Sequence, residues 1–290
     1  MKDRQKLFEH NRFCIELKDD YRIPINFHSH PGYEVVWMIK GEAQYIFEEK
    51  VYHMTKGQVL FYNAEELHKV HAQQDIPYER MVLQFDEDFF SNPSNLLTEL
   101  KVFLESLPYP HHILHFSPWQ AQQFQHIMDR LLFEFNHEDN WGQKNALELY
   151  LCELFLFICR EIKAPTNKIP ISNTSSDKVS MLEKVLKELN SVWDTSWTLE
   201  EIAANLHLNK FYLCHFFKKE FGLTIQQYIQ QRRVHEAKKL LTNTDMTIQD
   251  ISKRVGFVTN SNFIRSFKKV VHMTPKQYRD ISATNLVKFY

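Results

Sequence analysis

Four side chains in the first quarter of the chain are equipped to hold a ligand or an ion. His28, His30 and Glu34 follow the spacing H-x-H-x3-E, Gly41 comes after six further residues, and Asn63 and His68 follow Gly57. Three imidazoles and a carboxylate suit Mn, Fe, Ni, Cu or Zn, and the residue types do not choose among these metals. The same groups also bond one another, the backbone or the hydroxyls of an organic ligand. The organic reading is preferred: His28, His30, Glu34 and His68 are taken as pocket residues, no metal or other cofactor is assigned, and the same four are the positions that would hold an ion. Trp37, Tyr45 and Tyr62 extend the candidate pocket, because aromatic faces stack on a sugar ring or close a cavity.

A second kind of chemistry is written twice in the last hundred residues. Leu199, Ile202 and Leu206 match Ile248, Ile251 and Val255 at an offset of 49. Leu213, Phe217, Lys218, Lys219, Thr224, Gln227 and Tyr228 match Phe263, Phe267, Lys268, Lys269, Thr274, Gln277 and Tyr278 at an offset of 50. Each copy reads as a short helix, a tight turn and a second helix ending in Phe-Lys-Lys. That is the outline of a helix-turn-helix, whose second helix enters the major groove of DNA. Thr198 and Asn209 are placed to cap the two helices of the first copy. On the second helix of that copy Phe211, Cys214 and His215 share one face, and in the other copy Ser261, Asn262 and Arg265 do so. Arg265 suits a bidentate contact to guanine and Asn262 suits adenine. Lys210, Lys218, Lys219, Lys268 and Lys269 are placed as phosphate anchors, which add affinity and little sequence preference. Phe217, Phe263 and Phe267 read as core.

The elements that must position these groups follow from periodicity. Between about residues 12 and 88 the chain reads as short strands: FCIEL, YEVVWMIKG, AQYIFEEKVYHM, GQVLFYN and ERMVLQF, with Gly41 and Gly57 as turns. Strands at this spacing predict a small barrel or jelly roll. Trp119 to Phe135 and Ala146 to Ile162 carry apolar residues at helical spacing around the polar HEDNWGQ, which predicts an antiparallel helix pair. Residues 164–177, APTNKIPISNTSSD, read as a linker. The expected organisation is therefore α+β: a β-barrel with a helix pair over 1–163, a linker over 164–177, and an all-α domain over 178–290. Within the last, the two helix-turn-helix units span about 199–220 and 248–270, bridged by a helix over about 225–241.

Charge divides the same way. Residues 177–290 carry 18 Lys/Arg against 11 Asp/Glu, whereas residues 1–176 carry 17 against 25, so a near-neutral chain hides a basic rear half fit to meet a polyanion. Cys14, Cys152, Cys159 and Cys214 show no C-x-x-C spacing and read as reduced thiols. No apolar run approaches the roughly 18 residues of a membrane span, and MKDRQKLFEH lacks the apolar stretch of a signal peptide. A cytoplasmic protein without a membrane partner is expected.

These motifs resemble known families. Residues 178–280 resemble the DNA-binding domain of the AraC/XylS family of bacterial transcription regulators, through IAANL, LCHFFKKEFG, YIQQRRVHEAKKLL, ISKRVGF, FIRSFKK and TPKQYR. Transferred by position, the resemblance implies base-facing roles for Phe211, Cys214, His215, Ser261, Asn262 and Arg265. His215 stands where Arg is common in the family, which implies that contacts of the first unit vary with pH. The His28-to-His68 spacing resembles the two-motif cupin barrel and, equally, AraC-type sensor barrels. The resemblance implies a non-enzymatic regulator, commonly an activator, with double-stranded promoter DNA, a sugar-like effector, RNA polymerase and a second copy of the chain as partners. The alternative is a metal-dependent cupin enzyme or metal sensor with a DNA-binding tail.

Overall fold

The computed structural model describes residues 12–19, 26–72, 78–86, 111–164 and 177–287, together with Phe89, Thr98, Glu99, Val102, Phe103 and Ser106. The expected linker, apart from its two end residues, and the stretch MKDRQKLFEH lie outside the described residues. Seven strands are described: β1 (Phe13–Lys18), β2 (Tyr33–Ile46), β3 (Val51–Thr55), β4 (Val59–Asn63), β5 (Lys69–His71), β6 (Tyr78–Phe85) and β7 (His111–Leu114). All pair antiparallel, in the order β1-β6-β2-β4-β7, with β3 and β5 pairing the far half of β2. The result is the expected cupin-like barrel.

β2 is the hinge of this architecture. Its pairing with β6 slips between Met38 and Lys40, next to Gly41 at φ +80°. An extra residue in one strand inverts the inward and outward alternation. Val36 and Met38 before the slip, and Ala43 and Tyr45 after it, accordingly share one interior core. The expected break of this region at Gly41 is corrected: the strand bends there and continues, because neighbouring strands still pair with its backbone. The break falls later, where the Phe47 N–H donates to the Lys50 carbonyl and separates β3 from β2. β7 was not expected from the sequence.

The outer face of the sheet meets the helix pair α1 (Pro118–Asn136) and α2 (Gln143–Lys163). Val35, Phe61, Leu83 and Phe85 pack there on Phe124, Leu131, Leu151, Phe155 and Ile158. α1 opens on a reciprocal capping box between Ser117 and Gln120, which satisfies two otherwise orphaned N–H groups.

The remaining helices are α3 (Asp177–Val192), α4 (Leu199–Asn205), α5 (Lys210–Phe221), α6 (Ile225–Asn243), α7 (Ile248–Arg254), α8 (Asn260–Val271) and α9 (Pro275–Val287). α6 serves two cores. Ile225, Tyr228 and Ile229 join Leu213, Phe217 and Phe221, while Val234, Ala237 and Leu241 join Ile251, Phe263 and Phe267. The duplication extends to ring geometry: Phe217–Tyr228 and Phe267–Tyr278 both meet edge-on at 5.7 Å. The tight turns also match, with His207 (φ 55°) and Gly256 (φ 81°) both in the left-handed region. At Gly256 a Cβ would lie 2.7 Å from the Asp194 carbonyl oxygen, so glycine is required for space as well as for φ.

Candidate functional site

Two groups of residues present chemistry. The first is the exposed face of α5 and α8. Thr259 caps α8 by accepting from the Asn262 N–H at 3.2 Å, and Asn209 caps α5 by accepting from Phe211 N–H at 2.8 Å. Each cap fixes where the helix begins, and so which residues of its first two turns face outward. Ser261, Asn262 and Arg265 are all exposed, and Arg265 Nη2 donates to Asn262 Oδ1 at 3.0 Å. A guanidinium already held along the helix loses less side-chain freedom on reaching a base edge than a free one.

On α5, Phe211 and His215 are exposed and Cys214 is half-buried. Lys218, Lys219, Lys268 and Lys269 are exposed at the last turns, where a cation is also favoured by the helix dipole. Lys210 differs from the others: its ammonium is paired with Glu200 of α4. Tyr212, about half exposed, stacks on Phe216 at 5.8 Å and stands beside the expected reading face without having been singled out by spacing.

The second group lies at the barrel edge. In register, Glu34 of β2 stands opposite Tyr62 of β4 and Gln84 of β6. His30 Nε2 lies 3.0 Å from Glu34 Oε2, and Gln84 Nε2 donates to that same oxygen at 3.0 Å. His68 completes the cluster: one ligand atom of each of His30, Glu34 and His68 lies within 4.8 Å of the others. His28 pairs its backbone with His68 in both directions at 2.9 Å, and their rings are 4.4 Å apart. Burial holds His28 down at about 4 and His68 well below the ordinary imidazole range, so both are neutral at pH 7. Burial raises the Glu34 carboxyl, but the His30 hydrogen bond and the nearby imidazoles outweigh it and keep the group below the ordinary carboxylate range.

The three aromatic pocket candidates separate. Tyr62 is buried beside Glu34, and Tyr45 is buried deeper, its hydroxyl 2.7 Å from that of Tyr78. Both belong to the filled barrel interior. Trp37 lies on the other face of β2, edge-on to Phe124 of α1 at 5.7 Å, and does not join the cluster. It stands an odd number of residues from Glu34 within one continuous strand, so the two side chains point to opposite faces.

Several residues of the site carried no signal in the sequence. Ser29 Oγ, between two of the cluster histidines, lies 3.0 Å from His235 Nδ1 on α6. Gln231 accepts from Phe27 N–H at 3.1 Å and donates to Asn26 Oδ1 at 2.9 Å. Arg232 pairs with Glu48 at 2.6 Å, and Lys69 Nζ donates to the Phe221 carbonyl, the last residue of α5. Phe27, Ile46, Val51 and Leu67 of the barrel share one core with α3, α5 and α6. Polar residues at helical spacing along α6 read as a solvated face, and nothing local reveals partners some 200 positions away.

Barrel and twin helical units together define a ligand-binding domain joined to a DNA-binding one. The family model described as AraC-like ligand binding domain matches residues 12–155, and the one described as Helix-turn-helix domain matches residues 202–281. The chain belongs to the AraC/XylS family of transcription regulators. Its relatives include the uncharacterized HTH-type transcriptional regulator YtdP of Bacillus subtilis, 29% identical over 191 residues, which are 65% of this chain but only 23% of YtdP. The HTH-type transcriptional activator RhaR of Salmonella dublin is 24% identical over 255 residues, 88% of this chain and 87% of RhaR. Among solved structures, the C-terminal domain of the response regulator yesN from Fusobacterium nucleatum is 36% identical, covering 34% of this chain and 98% of that one, with a TM-score of 0.33. Among the described residues no helix is long and apolar enough to cross a membrane.

Proposed function

We propose that this chain is a cytoplasmic, non-enzymatic transcription activator that reads double-stranded promoter DNA with α5 and α8 and answers to a small effector held at the barrel edge. The observation that carries the reading is the exposed Ser261–Asn262–Arg265 face of α8, flanked by Lys268 and Lys269 and repeated in outline on α5. At 1.5 Å per residue the 19-residue α6 is about 28 Å long, a spacer comparable to the ~34 Å DNA turn that separates successive major grooves. Activation is supported by RhaR, which is named an activator, and RNA polymerase is the partner we assign to it. Homodimerisation is supported by Trp119, Phe133, Trp141 and Leu149, large apolar side chains exposed on α1, α2 and the turn between them. The division 1–163, 164–177 and 178–290 is retained as the functional one. The effector we assign is a small hydroxylated metabolite such as a sugar, bound by His28, His30, Glu34 and His68 near Tyr62, with Tyr45 behind them.

Selection from random duplexes tests the reading: the full chain is expected to enrich one sequence with contacts in two successive major grooves, and equal binding of every duplex would refute it. The lysines have a separate signature. Replacing Lys268 and Lys269 with alanine is expected to weaken selected and random DNA alike and to reduce the slope of log affinity against log salt by about 2, one per lost phosphate contact. Titration at several salt concentrations reads this directly.

A further inference from the structure

We infer that Arg233 pins the two helix-turn-helix units directly to each other and thereby fixes the spacing and rotation of the DNA contacts this chain accepts. The inference rests on α5 and α8 being the DNA readers and concerns what sets the angle between them. α6 alone does not set it. Its first half joins the core of the first unit as far as Ile229, and its second half joins the core of the second from Val234 onward. Gln230, Gln231, Arg232 and Arg233 lie between the two stretches. Long helices bend, so a shared helix fixes a distance better than it fixes an angle.

One helical turn spreads these four side chains around the axis, and they find different partners. Gln230 donates to Ser266 Oγ on α8, while Gln231 and Arg232 turn to the barrel. Arg233 turns to the first unit. Its guanidinium donates from Nε to the Trp193 carbonyl at 2.5 Å and from Nη2 to the Thr195 carbonyl at 2.8 Å. Trp193 directly follows α3, where helix carbonyls lack partners and carry partial negative charge. The same guanidinium lies over the Phe257 ring of the second unit, 5.6 Å from its centroid. One cation thus touches both units, by two hydrogen bonds and by attraction to a ring face.

Two further observations place the units in contact here. Trp193 packs against both cores at once. Gly256, in the tight turn of the second unit, comes so near the first that an added Cβ would also lie 3.0 Å from Arg233 Cζ. The equivalent turn of the first unit carries His207 in the same left-handed conformation. The turn itself therefore tolerates a side chain, and what excludes one at Gly256 is the first unit pressed against it. The consequence is read on DNA. One base pair rotates a contact site by about 35° and moves it ~3.4 Å along the axis. Two readers locked at one angle cannot follow that change without losing the base contacts of one of them.

The test uses the full chain on the selected duplex, on duplexes with one base pair inserted or removed between the two contacted grooves, and on either half alone. Wild type should bind the altered spacings at least about ten-fold more weakly, the loss of one reader's base contacts. In Arg233→Ala that penalty should shrink by at least about five-fold, the lower end of ordinary coupling between sites. Its binding to either half alone should stay within about two-fold of wild type, a result that lost folding would not give. Arg233→Lys keeps the charge but lacks the planar fork, so it should also lose most of the penalty, and it carries the test if the alanine variant melts early. A spacing penalty unchanged in the folded variants overturns the pin. Spin labels at Lys219→Cys and Lys269→Cys, with Cys152 and Cys214 replaced by serine, read the same pin without DNA. Their distance distribution should be narrow and should broaden once Arg233 is replaced. If wild type prefers no duplex, the DNA reading fails instead and the labels decide the pin alone: equally narrow distributions with and without Arg233 overturn it.

Discussion

Replacing Arg265 with alanine is expected to weaken binding to the selected duplex by roughly 5- to 150-fold, the ~1–3 kcal/mol carried by a good bidentate base contact. Binding to random DNA should fall far less, because only one positive charge of a basic surface is lost. Arg265 is exposed, so its removal leaves the core of the second unit intact, and among the described residues its side chain bonds to Asn262 on the same face. Arg265→Lys sharpens the comparison. It keeps the charge and loses the planar fork, so it should resemble alanine on the selected duplex and wild type on random DNA. Electrophoretic or anisotropy titrations on both duplexes read the result, and equal losses on both would remove the base-reading role from this side chain.

Phe267→Ala should act through stability. The ring is fully buried in the core shared by α6, α7 and α8, edge-on to Phe263 at 5.8 Å and to Tyr278 at 5.7 Å. Truncating such a phenylalanine removes ~3–5 kcal/mol, from transfer free energy and from the cavity left behind. That is a large share of the ~5–15 kcal/mol that holds a typical domain. Hydrogen exchange is the decisive measurement: amides of α7 and α8 should lose protection while those of the barrel strands keep theirs. A variant with unchanged protection in α8 would mean that the second unit is held by something other than this core.

Much of the helical half was legible because its information is local. Caps at Thr198 and Asn209 and the 3.6-residue apolar stripes act within a turn or two of chain, and the repeat at offsets of 49 and 50 supplied an internal check. The barrel was legible as strands but not as faces. Whether Trp37 or Glu34 points inward depends on parity, and parity is reset by a slip that only strand pairing reveals. Even so, parity alone separates Trp37 from Glu34, because no slip lies between them. The histidine cluster was legible as a list of donors at suggestive spacing. Its partner Gln84 was not, since it arrives from β6 by cross-strand register. Least legible was the junction between the halves, where Ser29 meets His235 and Lys69 meets Phe221 across gaps of 206 and 152 residues.

That junction bears on how such proteins can be recombined. Leu67, Phe27 and Lys69 bind the first helix-turn-helix, whereas the core of the second contains no barrel residue among those described. A hybrid spliced within 164–177 would strand an apolar patch on each parent, trading a working regulator for two sticky fragments. Grafting a new DNA preference should instead succeed when only exposed residues of α8 are exchanged, since the core of the second unit is itself built partly on Val234, Ala237 and Leu241 of α6.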